Sequence, residues 1–228
     1  MWTLRTHKKI SLAEVLFVGM LIIPGLCGLL SAQELREETN AGAILNAPSD
    51  APYFQHVQLT APKGTTVAPA AEGRFLDPLP APQYYALQVG TQYRFRVTDI
   101  PLMPGMELFP TVEILDRTHP PIGEELRHAV VIELAKEDLY AALRGKFVTR
   151  VIYVEDPATA FPISSKDQVG QGYFDVPAEA DPLLVAKTLG RPIAILRIGG
   201  RAPGTDGEYD MAFLNNCPPF LHYPPAEK

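Results

Sequence analysis

The chain has 228 residues, of which 46% are hydrophobic and 20% are charged, and its formal net charge is −6. This hydrophobic fraction is normal for a globular protein and excludes a strongly charged disordered chain. The acidic balance, with no basic stripe along the sequence, argues against a nucleic-acid partner. The 23 prolines make up about a tenth of the chain, roughly twice the ordinary usage.

The N-terminus has the pattern of an export signal. Three basic residues precede a 16-residue apolar run over 15–30: Arg5, Lys8 and Lys9. A membrane-spanning helix needs about 20 apolar residues, so the run is closer to the apolar region of a signal peptide. Ala32 supplies a small residue before a cleavage site. We therefore expect a signal peptide over 1–32, with an uncleaved single-span anchor as the alternative.

The signal predicts where the protein is found. Cleaved or retained, it exports the remaining chain, so we expect a periplasmic, cell-envelope or secreted location. Contact with the membrane is expected only through an uncleaved N-terminal segment.

The exported part divides into three regions by composition. Residues 33–83 are rich in proline and alanine and have little periodicity, which is typical of an extended linker; an ordered arm that wraps the domain is the alternative. The patterned region over 84–200 has the size of one domain. Residues 201–228 hold five further prolines and form a predicted tail, in which aromatic residues such as Phe220 indicate docking.

The first half of the patterned region alternates between apolar and polar residues. Strict alternation over 92–99 predicts a half-buried strand with Tyr93, Phe95 and Val97 on its core face. A strand over 84–89 is expected to join it through a hairpin turn at Gly90-Thr91. Residues 107–116 alternate again, and because Pro110 cannot donate a backbone hydrogen bond, we expect an edge or bulged strand there.

The second half combines short strands with short helices. Apolar runs predict strands over 129–134, 147–154 and 192–198, and the second is expected to be central because both of its faces are apolar. Helices are predicted over 136–144 and 183–189, the latter because Asp181-Pro182 is a helix-start signal. Six strands and two short helices predict a mainly-β, β-sandwich-like single domain, with an α+β fold as the alternative.

The sequence shows no catalytic constellation. It contains no GxSxG, HExxH or CxxC motif, so we assign no catalytic residue and predict that the chain is not an enzyme. Carboxylates such as Glu107 and Glu113 alternate with apolar residues and indicate a solvated strand face, which leaves a small hydrolase as an unfavoured alternative. The RIGGR segment over 197–201 follows a strand but precedes no helix, so its glycines are interpreted as a turn rather than a phosphate loop.

Cys217 and His222 are weak candidates for metal ligands. A blue-copper site needs two histidines and a cysteine, usually with an axial methionine, yet no methionine follows His222. We therefore predict no metal and no cofactor. Once residues 1–32 are removed, Cys217 is the sole cysteine, so it is expected either to be buried or to link two chains in a disulfide dimer.

One pattern points to binding. Arg94, Arg96, Phe109 and Arg150 occupy strand positions that face away from the expected core. A sheet face that mixes arginine with aromatic residues suits a protein–protein interface. These residues therefore predict an interaction face, with a protein or another envelope component as the partner.

Three stretches carry a family resemblance: TQYRFRVTDIPLMPGMELFPTVEIL, GKFVTRVIYVEDP and RPIAILRIGGR. They resemble a group of uncharacterised exported proteins of planctomycete-type bacteria over residues 84–200. The resemblance implies an envelope or secreted location and carries over no activity or site. The sequence thus predicts an exported, non-enzymatic structural or interaction module, with a periplasmic ligand- or metal-binding domain as the main alternative.

Overall fold

The computed structural model describes residues 2–8, 52–156, 158, 173–177, 179–204 and 209–224. These residues belong to one of two compact units of the chain, formed by Met1–Ile10 and Pro52–Lys228. The strands are β1 (Trp2–Lys8), β2 (Phe54–Thr60), β3 (Thr66–Ala71), β4 (Arg74–Phe75), β5 (Leu79–Pro80), β6 (Gln83–Gln88), β7 (Gln92–Thr98), β8 (Thr111–Ile114), β9 (Val130–Glu133), β10 (Phe147–Glu155), β11 (Tyr173–Asp175), β12 (Gly190–Ile198) and β13 (Phe220–Tyr223). The helices are α1 (Lys136–Leu143) and α2 (Pro182–Leu189).

The described strands form two sheets, and the fold is mainly β and β-sandwich-like, as predicted. The larger sheet has the order β11-β1-β10-β12-β8-β7-β3-β4, with β5 also paired to β3. The smaller sheet has the order β13-β6-β2-β9. Antiparallel pairs predominate, and the described parallel pairs are β1 with β11 and β2 with β9.

The main core lies between the two sheets. Alternate residues of β7 (Tyr93, Phe95 and Val97) pack in one cluster with residues of β2, β6 and β9 from the smaller sheet. Because successive side chains of a strand point to opposite faces, residues such as Arg94 and Arg96 lie on the outer face of the larger sheet. Each fully buried aliphatic or aromatic side chain of this cluster contributes about 1.5–3 kcal/mol.

Periodicity predicted most of the elements between residues 92 and 198. Two features were predicted wrongly, one hairpin and the position of one strand in its sheet. Gly90-Thr91 does not close a hairpin, because β6 and β7 belong to different sheets. The strand near Pro110 is not an edge strand, because β8 lies between β12 and β7. Pro110 precedes the paired residues, and its carbonyl accepts a hydrogen bond from the Phe95 N–H. The ladder therefore needs no donor from the proline.

Both predicted helices are present, and local signals explain their ends. The Asp181 carboxylate accepts a hydrogen bond of 2.8 Å from the Leu183 N–H, and Pro182 follows it as the first residue of α2. Acidic residues occupy the first turn of α1. Gly145 ends α1 with φ +77°, a left-handed conformation that favours glycine.

The predicted linker over 33–83 is wrong for its second half, where the chain forms β2 to β5 and starts β6. Val57 and Leu59 are buried in the main core, and Ala68 is buried on the outer face. The alanines were interpreted as linker composition, but small side chains also pack closely against neighbouring aromatic rings. Residues 33–51 lie outside the described part of the chain.

Both ends of the chain contribute strands to the fold. The predicted tail docks, because β13 pairs with β6 and Leu214 is fully buried. At the other end β1, which lies within the predicted signal peptide, pairs with β10 over seven residues. Cleavage after Ala32 would remove β1 and leave β10 at the edge of the larger sheet. No helix in the described residues is long and apolar enough to cross a membrane.

Two histidines on the smaller sheet, the half-buried His56 and the more exposed His222, make stability depend on pH. Burial lowers the pKa of His56 below 6.5, an effect that the charge of Glu125 partly offsets, and burial also lowers the pKa of His222. At these histidines the unfolded chain therefore binds protons more readily than the folded chain does. The folded state keeps its full stability above pH about 6.5 and loses stability as the pH falls further. We expect Tm to fall between about pH 7 and pH 5, and to fall less in a His56→Gln variant. Identical pH profiles for the two proteins would contradict this assignment.

Candidate functional site

The four residues of the predicted interaction face do not form one exposed surface. Arg94 is 4% exposed and Phe109 is 6% exposed. Residues 209–217 cover this part of the outer face, and Phe213 packs on Phe109 with their ring centroids 5.3 Å apart. The prediction that these two residues are exposed is therefore wrong, because the C-terminal tail packs over them.

Arg150 is also buried, on the opposite face of the larger sheet. It lies in register with Leu196, a residue of the main core, and is 1% exposed. Its guanidinium forms an ion pair with the carboxylate of Asp138 on α1, which is fully buried as well. A buried charge is tolerated only when it is paired, and Asp138 supplies the partner of Arg150. The prediction that Arg150 lies on an exposed face is therefore wrong.

Arg96 alone of the four keeps partial exposure. Its guanidinium carbon lies 5.9 Å from the centroid of the Phe75 ring, within the range of a cation–π contact. It therefore belongs to the rim of the aromatic cluster formed by Phe75, Phe109 and Phe213.

A row of polar residues crosses the outer face of the larger sheet. Arg94 of β7 lies in register with Thr111 of β8, and Thr111 lies in register with Arg197 of β12. Arg197 in turn lies in register with Thr149 of β10. Residues in register on adjacent strands point to the same face, so four neighbouring strands supply an Arg-Thr-Arg-Thr row.

The first three residues of this row, Arg94, Thr111 and Arg197, line a cleft of about 710 Å³. Three of the lining residues are arginines and none of the described lining residues is acidic, although the whole chain is acidic. We call this site the arginine cleft. Its described lining residues are Gln92, Arg94, Phe109, Thr111, Gly145, Phe147, Arg197, Gly199, Gly200, Arg201 and Asn215.

Arg94 is held rigidly in the wall of the cleft. Its Nε donates to the Phe213 carbonyl and its Nη1 donates to the Phe109 carbonyl, both at 2.9 Å. Burial, together with the smaller effect of the positive charge of Arg201, lowers the pKa of Arg94 to about 10. Both effects disfavour the charged form, so the site carries an electrostatic cost that a bound anion would offset.

The three arginines are not equivalent. Arg197 is engaged in an ion pair of 2.6 Å with Glu113 on the neighbouring strand. Arg94 donates to backbone carbonyls, which leaves its charge without a carboxylate among the described lining residues. Arg201 is exposed at the mouth of the cleft. The positive charge available to a ligand therefore comes mainly from Arg94 and Arg201.

Two further features shape the cleft. The Nδ2 of Asn215 is buried and has no hydrogen-bond partner within the described part of the chain. Gly199 leaves room for the Phe147 ring, because a Cβ at this glycine would lie only 2.7 Å from Phe147 Cδ2. The cleft thus combines the available charges of Arg94 and Arg201, the amide donor of Asn215 and two aromatic rings, those of Phe109 and Phe147.

The sequence contained a signal for this site that was interpreted as a turn. Arg197 and Arg201 are the two arginines of RIGGR, a segment that no helix follows and that therefore does not match a phosphate-loop motif. The polar groups of the cleft come instead from the arginine side chains and from Asn215, which is distant in sequence. A local phosphate-loop motif cannot detect a site that is assembled across strands.

Cys217 and His222 lie in different environments. Cys217 Sγ accepts a hydrogen bond of 3.4 Å from the Gly73 N–H and packs with the aromatic cluster on the outer face. His222 is on the smaller sheet, where its Nε2 is 2.8 Å from Gln83 Oε1. The described residues contain no group of three or more His, Cys, Asp or Glu side chains placed to hold a metal ion. The disulfide dimer through Cys217 stays a prediction.

Comparison with protein-family models, with curated proteins and with solved structures finds no match for this chain.

Proposed function

We propose that the chain is an exported, non-enzymatic binding module of the cell envelope that holds an anionic group of its ligand in the arginine cleft. The observation that carries the proposal is that two like charges, Arg94 and Arg201, line one cleft whose described lining residues include no acid. The export signal and the family resemblance support the location. The proposal favours the ligand-binding alternative over a purely structural role.

The chemistry of the lining residues defines the class of group that would be bound. Guanidinium groups bind carboxylate and phosphate through paired N–H donors, and such charge-assisted hydrogen bonds are stronger than neutral ones. Arg94 is already fixed by two carbonyls, so little conformational entropy is lost when an anion arrives. A carboxylate or phosphate group is therefore the proposed ligand feature.

Inorganic phosphate provides a direct test of this proposal. We expect phosphate to raise the Tm of the full chain above its value in sodium chloride of equal ionic strength, because a ligand that binds only the folded state stabilises it. An Arg201→Gln variant should lose most of this rise, since Arg201 is exposed and its replacement leaves the core intact.

The matched control is Arg127→Gln, which removes an exposed arginine outside the cleft. This variant should respond to phosphate like the unmodified chain. An equal Tm rise in all three proteins would show a general salt effect and would contradict the proposal.

A further inference from the structure

A second cavity lies beside the arginine cleft on the same outer face of the larger sheet. This cavity has a volume of about 420 Å³ and lies between the start of α2 and strands β10 and β12. Phe147 and Arg197 line both cavities. The two cavities are therefore neighbours that share these two side chains, and we call them together the groove.

The second cavity is mainly apolar. Six of its ten lining residues are apolar: Phe147, Val151, Ala180, Pro182, Leu183 and Ile195. Val151 and Ile195 form its floor and belong to the small core cluster under α2. The described groove is thus cationic at one end and apolar at the other.

The charged residues of the second cavity are engaged elsewhere or lie at its rim. The Asp181 carboxylate caps α2 through the Leu183 N–H, and Arg197 is paired with Glu113. Glu179 is exposed. The floor therefore offers apolar contact rather than a second ionic site.

We propose that the ligand is a small amphiphilic anion with an unbranched apolar chain. Its acidic head group binds between Arg94 and Arg201, and its chain passes Phe147 to lie over Val151 and Ile195. This inference rests on the proposed anion-binding function and adds the class of ligand. The groove has one cationic end and one apolar end, and an amphiphilic anion has one acidic end and one apolar end. This complementarity supports the proposed class of ligand.

The test compares decanoate with acetate, each titrated into the full chain below the concentration at which decanoate forms micelles. Each buried methylene strengthens binding about fourfold. We therefore expect decanoate to bind at least tenfold more tightly than acetate, as measured by calorimetry or by chemical-shift changes. Arg201→Gln should weaken both ligands by about tenfold, because both use the same head-group site.

A Thr149→Phe variant tests the apolar end separately. Thr149 is half-buried, lines the second cavity and lies in β10. Because β-strands accommodate aromatic residues well, phenylalanine should be tolerated there. Its phenyl group should fill the cavity and reduce the advantage of decanoate over acetate to less than threefold, with acetate binding unchanged. The matched control is Leu184→Phe, at an α2 residue that is 60% exposed, and it should leave both affinities unchanged.

The outcomes separate the two proposals. If acetate and phosphate bind but decanoate binds no more tightly than acetate, the amphiphile proposal fails and the anion site stands. If decanoate binds equally well to the unmodified chain and to Arg201→Gln, the head group is not in the arginine cleft and the amphiphile proposal also fails. If none of these anions binds, both proposals fail.

Discussion

Replacement of Asp138 by alanine is expected to lower the free energy of unfolding by about 3–5 kcal/mol. The Asp138 carboxylate is paired with the Arg150 guanidinium, and both side chains are almost fully buried. Removal of the carboxylate leaves a buried positive charge without its partner, which is more costly than removal of the whole pair. Urea unfolding followed by circular dichroism measures the loss.

The matched control replaces both charges at once. A double variant, Asp138→Leu with Arg150→Met, keeps similar volume and removes the uncompensated charge, so it should recover most of the stability lost in Asp138→Ala. A loss of less than about 1 kcal/mol in Asp138→Ala would show that the pair is solvated and would contradict its placement in the core.

Replacement of Arg94 by glutamine is expected to affect both stability and binding. The carbonyls of Phe213 and Phe109 lose charge-assisted donors, so the free energy of unfolding should fall by about 3 kcal/mol. Amide hydrogen exchange within residues 209–217 should accelerate, because Arg94 ties this segment to the sheet. The Tm rise in phosphate should disappear.

An Arg94→Lys variant separates the two roles. Lysine keeps the positive charge but cannot donate to two carbonyls with the geometry of a guanidinium. It should therefore show the stability loss of Arg94→Gln while it keeps part of the phosphate response. Unchanged exchange in residues 209–217 of either variant would mean that Arg94 does not anchor the segment.

Much of the fold was predictable because its signals are local. The alternation over 92–98 reflects a strand with one face in the main core, and the Asp181-Pro182 pair marks a helix start by the chemistry of its own residues. The run over 147–154, apolar except for Thr149 and Arg150, predicts a central strand, and β10 lies between β1 and β12 with residues in both the main core and the small core cluster under α2.

The rest depended on contacts distant in sequence. The proline and alanine content of 66–80 hid three strands, β3 to β5, and the partner of β3 in the larger sheet, β7, lies later in the chain. Arg94 and Arg150 were expected at the surface because alternation shows which face a residue occupies, but not what covers that face. The tail covers Arg94, and the inter-sheet core with Asp138 encloses Arg150.

The arginine cleft itself was only partly accessible to sequence analysis. The strand position of Arg94 indicates an interaction face, whereas Arg197 and Arg201 only flank two glycines that the sequence predicts as a turn. Asn215, which contributes the buried amide, lies in the tail. Convergence of a strand, a strand end and a tail residue is set by register and docking, which no local motif records.

The central claim, an anion site between Arg94 and Arg201, is tested most directly by a crystal structure grown with selenate, a phosphate-sized anion that selenium marks by anomalous scattering. We expect an anomalous peak within hydrogen-bond distance of both guanidinium groups, and no such peak in an Arg201→Gln crystal. A clear map with no selenium peak in the cleft, or with peaks only at other surface arginines, would contradict it.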